Sequence, residues 1–362
     1  MSHSSQETPS SNQPLAALMA ADLAAVEAKM RGNEQGIFPP LAEAFLSLIA
    51  SGGKRLRPTL ALLATRLFAP MSSQAIALAA AVETLHTATL VHDDVIDNAL
   101  IRRGSPTLNA SWTSGATVLA GDYLFARAAA FAAETGNVRV ITLFAETLKV
   151  ICEGELRQLA ARYRWDQPKE AYYERIYAKT ASLFAAATEG GALLGAAAED
   201  DVQRLRAYVY HLGIAFQIID DILDFTSTDA VLGKPAGSDL GQGTITLPVF
   251  YFIQEAADRR AVLEPLEAWA AADGHAATLD LVAQIAQSNA IDRAYDEAAS
   301  FIAQAVAALE SLPASAAGST AVRQAHRTGP ELVETGPELV EGLAEVHGAL
   351  LELATSTLGR RR

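Results

Sequence analysis

Residues 85–97 read Leu-His-Thr-Ala-Thr-Leu-Val-His-Asp-Asp-Val-Ile-Asp, and residues 217–225 read Gln-Ile-Ile-Asp-Asp-Ile-Leu-Asp-Phe. Each stretch sets Asp-Asp-x-x-Asp inside an apolar run of helical period. Carboxylates at i, i+1 and i+4 put at least two of each set on one helical face, about one turn apart. Like charges so close repel, and a helix otherwise suited to a core accepts them where a cation offsets the cost. Hard divalent cations prefer carboxylate oxygens, and magnesium takes one or two of them together with substrate phosphates. Two such sets on facing helices therefore read as a clamp for a diphosphate through bridging magnesium.

Outward from these stretches the three- and four-residue spacing runs from Leu15 almost unbroken, and strand-like alternation is hard to find. It predicts helices over 15–31, 38–51, 55–68, 73–99, 115–133, 137–163, 170–198, 200–226, 246–271, 276–288, 291–311 and 338–358. Half of the 362 residues are hydrophobic, with Ala and Leu dominant. That composition favours helices packed closely through small side chains. The fold class is all-α, one large helical domain over 15–362 around a central cavity. Met1 to Pro14, rich in Ser and without an apolar core, reads as a disordered tail rather than a secretory signal. Residues 227–245, with five glycines and prolines beside Lys234 and Asp239, read as a long loop next to a site. Residues 311–341 read as an irregular insertion, in which Thr-Gly-Pro-Glu-Leu-Val-Glu occurs at 328–334 and again at 335–341.

The net charge of −14 argues against a nucleic-acid partner, which would demand clustered Lys and Arg. It leaves small anionic substrates open, since these need only a few local cations and a metal. The single Cys152 cannot form an internal disulfide and reads as a small buried apolar residue in a reducing cytoplasm. No apolar run of transmembrane length free of charge is seen, so no transmembrane segment is predicted. Cations flank the aspartates: Lys54, Arg55 and Arg57 follow the Gly52-Gly53 turn, with Lys54 and Arg57 placed on one helical face, and Arg102-Arg103-Gly104 follows the first set. His86, Asp93 and Asp97 fall on one helical stripe, and Gln217, Asp220, Asp221 and Asp224 form another.

The stretch Leu85–Asp97 with Arg102-Arg103-Gly104, and the stretch Gln217–Phe225, resemble the two aspartate-rich regions of trans-isoprenyl diphosphate synthases. Gly52–Pro58, Lys179-Thr180 and Gly233-Lys234 before Asp239-Leu240 match in the same order, so the resemblance spans roughly residues 40–250. It implies a magnesium-dependent prenyltransferase condensing isopentenyl diphosphate with an allylic diphosphate, acting as a cytoplasmic homodimer. It further implies that Asp93, Asp97 and Asp220 ligate magnesium, with Asp94, Asp221 and Asp224 as further or water-mediated ligands. Lys54, Arg57, His86 and Arg103 would hold isopentenyl diphosphate, and Arg102, Lys179, Thr180, Gln217 and Lys234 the allylic diphosphate. Metal and cations would stabilise the departing diphosphate while an apolar pocket keeps water from the allylic cation.

Short-chain relatives carry a bulky aromatic four or five residues before the first Asp, where this chain has Ala88 and Thr89. The space below reads as open and the product as longer than fifteen carbons. Thr244 stands where the family often has Lys, which puts one diphosphate contact in doubt. Alternative readings are a geranylgeranyl or farnesyl diphosphate synthase, a terpene cyclase, or a non-catalytic synthase subunit. A cyclase normally has one such aspartate set, and a non-catalytic subunit would have lost aspartates.

Overall fold

The computed structural model describes residues 13–32, 36–102, 104–227, 236–271, 275–312 and 337–359. Helices α1 (Gln13–Arg31), α2 (Pro39–Ala50), α3 (Leu56–Arg66) and α4 (Ser73–Ile96) come first. A two-strand ribbon, β1 (Ile101–Arg102) with β2 (Ser105–Pro106), follows, and then α5 (Leu108–Ser111), α6 (Ser114–Glu134) and α7 (Val138–Ala161). Next come α8 (Lys169–Ile176), a π-helical turn (Tyr177–Ala181), α9 (Ser182–Leu194), α10 (Glu199–Thr226) and the short α11 (Ser238–Gly241). The chain continues through α12 (Leu247–Glu255), α13 (Arg259–Ala271), α14 (His275–Ala286), α15 (Asn289–Glu310) and α16 (Pro337–Leu358).

The all-α expectation holds, with local departures. The run expected over 170–198 is interrupted by the π turn, and that over 246–271 breaks between α12 and α13. Helix α4 ends at Ile96, short of the expected 99, in a turn that leads to the ribbon at Ile101. Gln13 and Pro14 of the expected tail already belong to α1, and residues 337–341 of the duplication open α16. The rest of the duplication, residues 228–235 of the long loop, Arg103 and Lys234 lie outside the described residues.

Some helix starts are capped by side chains, α4 and α7 among them, whereas α3, α9 and α10 begin without such a bond. The Ser72 hydroxyl accepts the Ala75 N–H at 3.2 Å, and Asn137 Oδ1 accepts those of Arg139 at 3.0 Å and Val140 at 3.4 Å. Helix α4 is the core element, packed by α1, α3, α6 and α9, and α10 lies against α9 and α15. By length and composition α4 could cross a membrane, but 72% of its most apolar window is buried inside the protein. Small residues let the helices approach: a Cβ on Gly191 of α9 would lie 2.3 Å from the Ala61 carbonyl oxygen of α3. Two further apolar clusters, one around Tyr172, Ile218 and Tyr251 and one around Trp165, Leu240 and Ile285, flank α10.

The start of α3 sets the site's entrance. Gly52 and Gly53 take φ of +73° and +156°, and Arg55 itself is left-handed at +50°, an unfavourable setting for a residue with a Cβ. Its guanidinium, 11% exposed, donates to Glu83 at 2.8 Å, Glu27 at 3.2 Å and the Ile49 carbonyl at 2.8 Å. Helix α3 begins only at Leu56, so Lys54 lies in the turn and does not share a helical face with Arg57. Glu83→Ala leaves a buried guanidinium short of its main partner while Glu27 remains. The expected loss is about 3 kcal/mol, at the low end for a broken buried pair, read by urea unfolding.

Candidate active site

On α4, His86, Thr89, Asp93 and Asp97 share one stripe and are all half-buried, as their spacing predicts. Asp97 caps the helix, its N–H returning to the Asp93 carbonyl at 2.8 Å, and its carboxylate accepts Arg162 at 2.7 Å. Asp94 turns into the protein at 5% exposure and accepts Arg102 Nε at 2.8 Å. Burial pushes the Asp93 carboxyl up, the Lys179 ammonium opposes this, and the Asp97 charge adds to it. Ala88 is wholly buried in the main core cluster, so the structure separates it from Thr89.

The second set divides differently. Gln217 and Asp220 are half-buried on α10, whereas Asp221 and Asp224 are buried. Asp221 accepts the Tyr172 hydroxyl at 2.8 Å and Gln217 Nε2 at 2.9 Å, and Gln217 Oε1 accepts the Thr180 hydroxyl at 2.7 Å. Asp224 accepts the Ser238 hydroxyl and the Asp239 N–H, each at 3.2 Å, which ties α11 to α10. Burial, with Asp239 adding to it, pushes Asp221 up to about 7.

Lys179 stands on the π turn with its side chain 40% exposed. Its ammonium lies 3.6 Å from Glu155 of α7. Burial would lower its pKa, but the charges of Asp93, Glu155, Asp97 and Asp239 outweigh that and raise it. Lys54 opens a cavity of about 200 Å³ whose walls include Leu56, Leu60, Phe184 and Phe216. The Arg57 guanidinium lies 5.0 Å from the centre of the Phe184 ring. Among the described residues no three acid, His or Cys side chains are already gathered as a metal cage. The donor set instead fits a hard cation that completes its coordination with ligand phosphates and water.

Residues 39–279 match the family model described as polyprenyl synthetase. The chain belongs to this family. It is similar to component 2 of the heptaprenyl diphosphate synthase of Geobacillus stearothermophilus, 43% identical over 81% of this chain and 90% of that protein. A decaprenyl diphosphate synthase from Rhodobacter capsulatus superposes with a TM-score of 0.80 at 35% identity, covering 96% of this chain and 98% of that one. A polyprenyl synthase from Caulobacter crescentus, solved with calcium and isoprenyl diphosphate, gives 0.81 at 35% identity, covering 98% and 100%. This polyprenyl synthetase is thus a prenyl-group transferase of all-α fold, in a family that generally works with a divalent metal.

Several residues of the site in this polyprenyl synthetase escape a reading of motifs alone. Glu155 and Arg162 reach Lys179 and Asp97 from α7 and the residue that caps it, and Tyr172 reaches Asp221 from α8. The signal for Glu155 and Arg162 is the polar stripe Glu155, Gln158, Arg162 at i, i+3 and i+7, whereas Tyr172 gives none. Cys152, expected to be buried, is exposed on α7. In the metal-free protein the raised Asp221 carboxyl makes stability depend on pH. The folded state holds its proton up to about pH 7, while the unfolded chain releases it near its ordinary value, so stability falls as pH rises between the two. Asp221→Asn is expected to flatten that fall in thermal unfolding measured from pH 4 to pH 8.

Proposed function

We propose that this enzyme lengthens an allylic diphosphate by adding isopentenyl diphosphate, with magnesium as its metal, and releases a product longer than fifteen carbons. The observation that carries the reading is the position of Lys179. Its ammonium is held within the influence of Asp93 and Asp97 from one aspartate set and of Asp239, which acts on Asp221 of the other. A solvent-reachable cation, 40% exposed and facing carboxylates, suits a bound diphosphate and the metal that accompanies it.

Asp93, Asp97 and Asp220 are assigned to the metal, which when bound supplies charge neutralisation to the departing diphosphate. Asp94, Asp221 and Asp224, engaged with protein donors, shape the helix ends that present them. Arg102, Lys179, Thr180, Gln217 and Lys234 are assigned to the allylic diphosphate, and Lys54, Arg57, His86 and Arg103 to isopentenyl diphosphate. Lys179 holds the leaving oxygens; the isopentenyl double bond attacks the allylic cation, and the cation so formed loses a proton to give the lengthened allylic diphosphate. We assign the enzyme to the cytoplasm, on the single cysteine, and to a homodimer. Val118 and Leu119 on α6 and Val138, Ile141 and Leu156 on α7 are exposed apolar residues that a second copy would cover.

Asp93→Ala and Asp220→Ala are expected to lower kcat by about 10²-fold or more with the fold kept, as for a lost electrostatic stabiliser. Steady-state assay beside thermal unfolding checks this, and turnover within a few-fold of the parent would sink the assignment. Lys54→Ala should raise the Michaelis constant for isopentenyl diphosphate more than that for the allylic substrate. Sedimentation should give a dimer, and Leu119→Asp should shift it towards monomer. For product length, Thr89 lies one turn below Asp93 on the accessible stripe, and Ala88 lies in the core. Thr89→Phe should shorten the product while initial turnover persists. Ala88→Phe should chiefly destabilise the fold, by about 1–3 kcal/mol from overpacking. Product sizing by chromatography tests both, and an unchanged distribution in Thr89→Phe would overturn the placement of the growing chain.

A further inference from the structure

The π turn Tyr177–Ala181 interrupts regular winding between α8 and α9, at the place where Lys179 and Thr180 stand. One extra residue widens the backbone there and rotates the side chains that follow, a device frequent at functional sites. A widened turn needs room, and both of its neighbours are glycines. A Cβ on Gly154 of α7 would lie 2.3 Å from the Ala178 Cβ. One on Gly213 of α10 would lie 2.6 Å from the Ala181 Cβ and 2.8 Å from its Cα. Carbon atoms in contact sit about 3.5–4.0 Å apart, so neither glycine admits a side chain unless the turn moves.

The same two places supply the polar partners of the turn. Glu155, next to Gly154, carries the carboxylate 3.6 Å from the Lys179 ammonium. Gln217, one helical turn after Gly213, accepts the Thr180 hydroxyl at 2.7 Å. Each glycine therefore fixes the distance at which its helix meets the turn, and the neighbouring polar group then fixes the direction of one side chain. We propose that Gly154 and Gly213 are positioning residues for prenyl transfer, seating the π turn at the depth that presents Lys179 and Thr180 to the allylic diphosphate. The inference rests on the assignment of those two residues to that diphosphate.

Gly154→Ala and Gly213→Ala test it by steady-state kinetics with each substrate varied in turn, beside thermal unfolding. A displacement of the turn by a fraction of an ångström or more is expected to raise the allylic Michaelis constant, or lower kcat, by about tenfold or more, with the isopentenyl constant little changed. The paired changes Gly154→Ala with Ala178→Gly, and Gly213→Ala with Ala181→Gly, should recover most of the loss. Gly191→Ala, as crowded but against α3, should lower thermal stability without moving either constant. Ala178→Gly and Ala181→Gly loosen the turn instead of crowding it. They should raise the allylic constant by a smaller factor, and they carry the test should a crowded variant not fold. Lys179→Ala separates the two levels of the argument. An unchanged allylic constant in that variant overturns the assignment of Lys179 and this inference together. A large effect there, with the glycine variants behaving like Gly191→Ala, overturns this inference alone.

Discussion

A carboxylate carried into the apolar interior of a helical bundle must find a donor or a cation, because burial without one costs several kcal/mol. This chain carries two sets of three aspartates on two long helices of its core, and the neighbouring elements are arranged to meet that cost. Arg102 from the ribbon holds Asp94, and Arg162 after α7 holds Asp97. Tyr172 from α8 and Gln217 from α10 itself hold Asp221, and α11 closes over Asp224. The two sets differ in the kind of compensation. Asp94 and Asp97 meet guanidinium charges, whereas Asp221 is held by two neutral groups and is pushed up to about 7.

Close packing is what allows these partners to reach. Helices separated by Leu or Ile side chains would hold Lys179 and Glu155, or Thr180 and Gln217, too far apart for the contacts seen. Gly154, Gly191 and Gly213 remove the side chain where two backbones must approach, and alanines fill the remaining faces. At the entrance the opposite device operates. Arg55 holds an unfavourable left-handed backbone because two carboxylates and a carbonyl anchor its side chain, and this places Lys54 at the mouth of the cavity.

Much of this was legible in the sequence, because apolar period and carboxylate spacing report directly on helices and their faces. The start of α4, the extents of α6, α7 and α10 and the stripe of His86, Asp93 and Asp97 follow from spacing alone. What spacing does not carry is the local backbone. A π turn leaves the apolar pattern of 170–198 almost unchanged, since one extra residue shifts the period by less than a turn. The left-handed Arg55 was hidden because the signal of its turn sits in the two glycines before it. Partners distant in sequence, such as Tyr172 for Asp221, become visible only once the helices are packed.

Helix α4 shows how one element serves stability and chemistry without conflict. Its core face carries Ala75, Ala79, Ala80, Ala81 and Ala88, whose small volume sets the distance to the surrounding helices. Its other stripe carries His86, Thr89, Asp93 and Asp97, which stay half-buried because the neighbouring helices do not close over them. Ala88 and Thr89 are adjacent in sequence yet turned about 100° apart around the helix axis, given 3.6 residues per turn. Bulk at the first is therefore felt as strain between packed helices, whereas bulk at the second falls on the half-buried stripe that carries the carboxylates, so neighbouring positions on a single helix answer to different constraints.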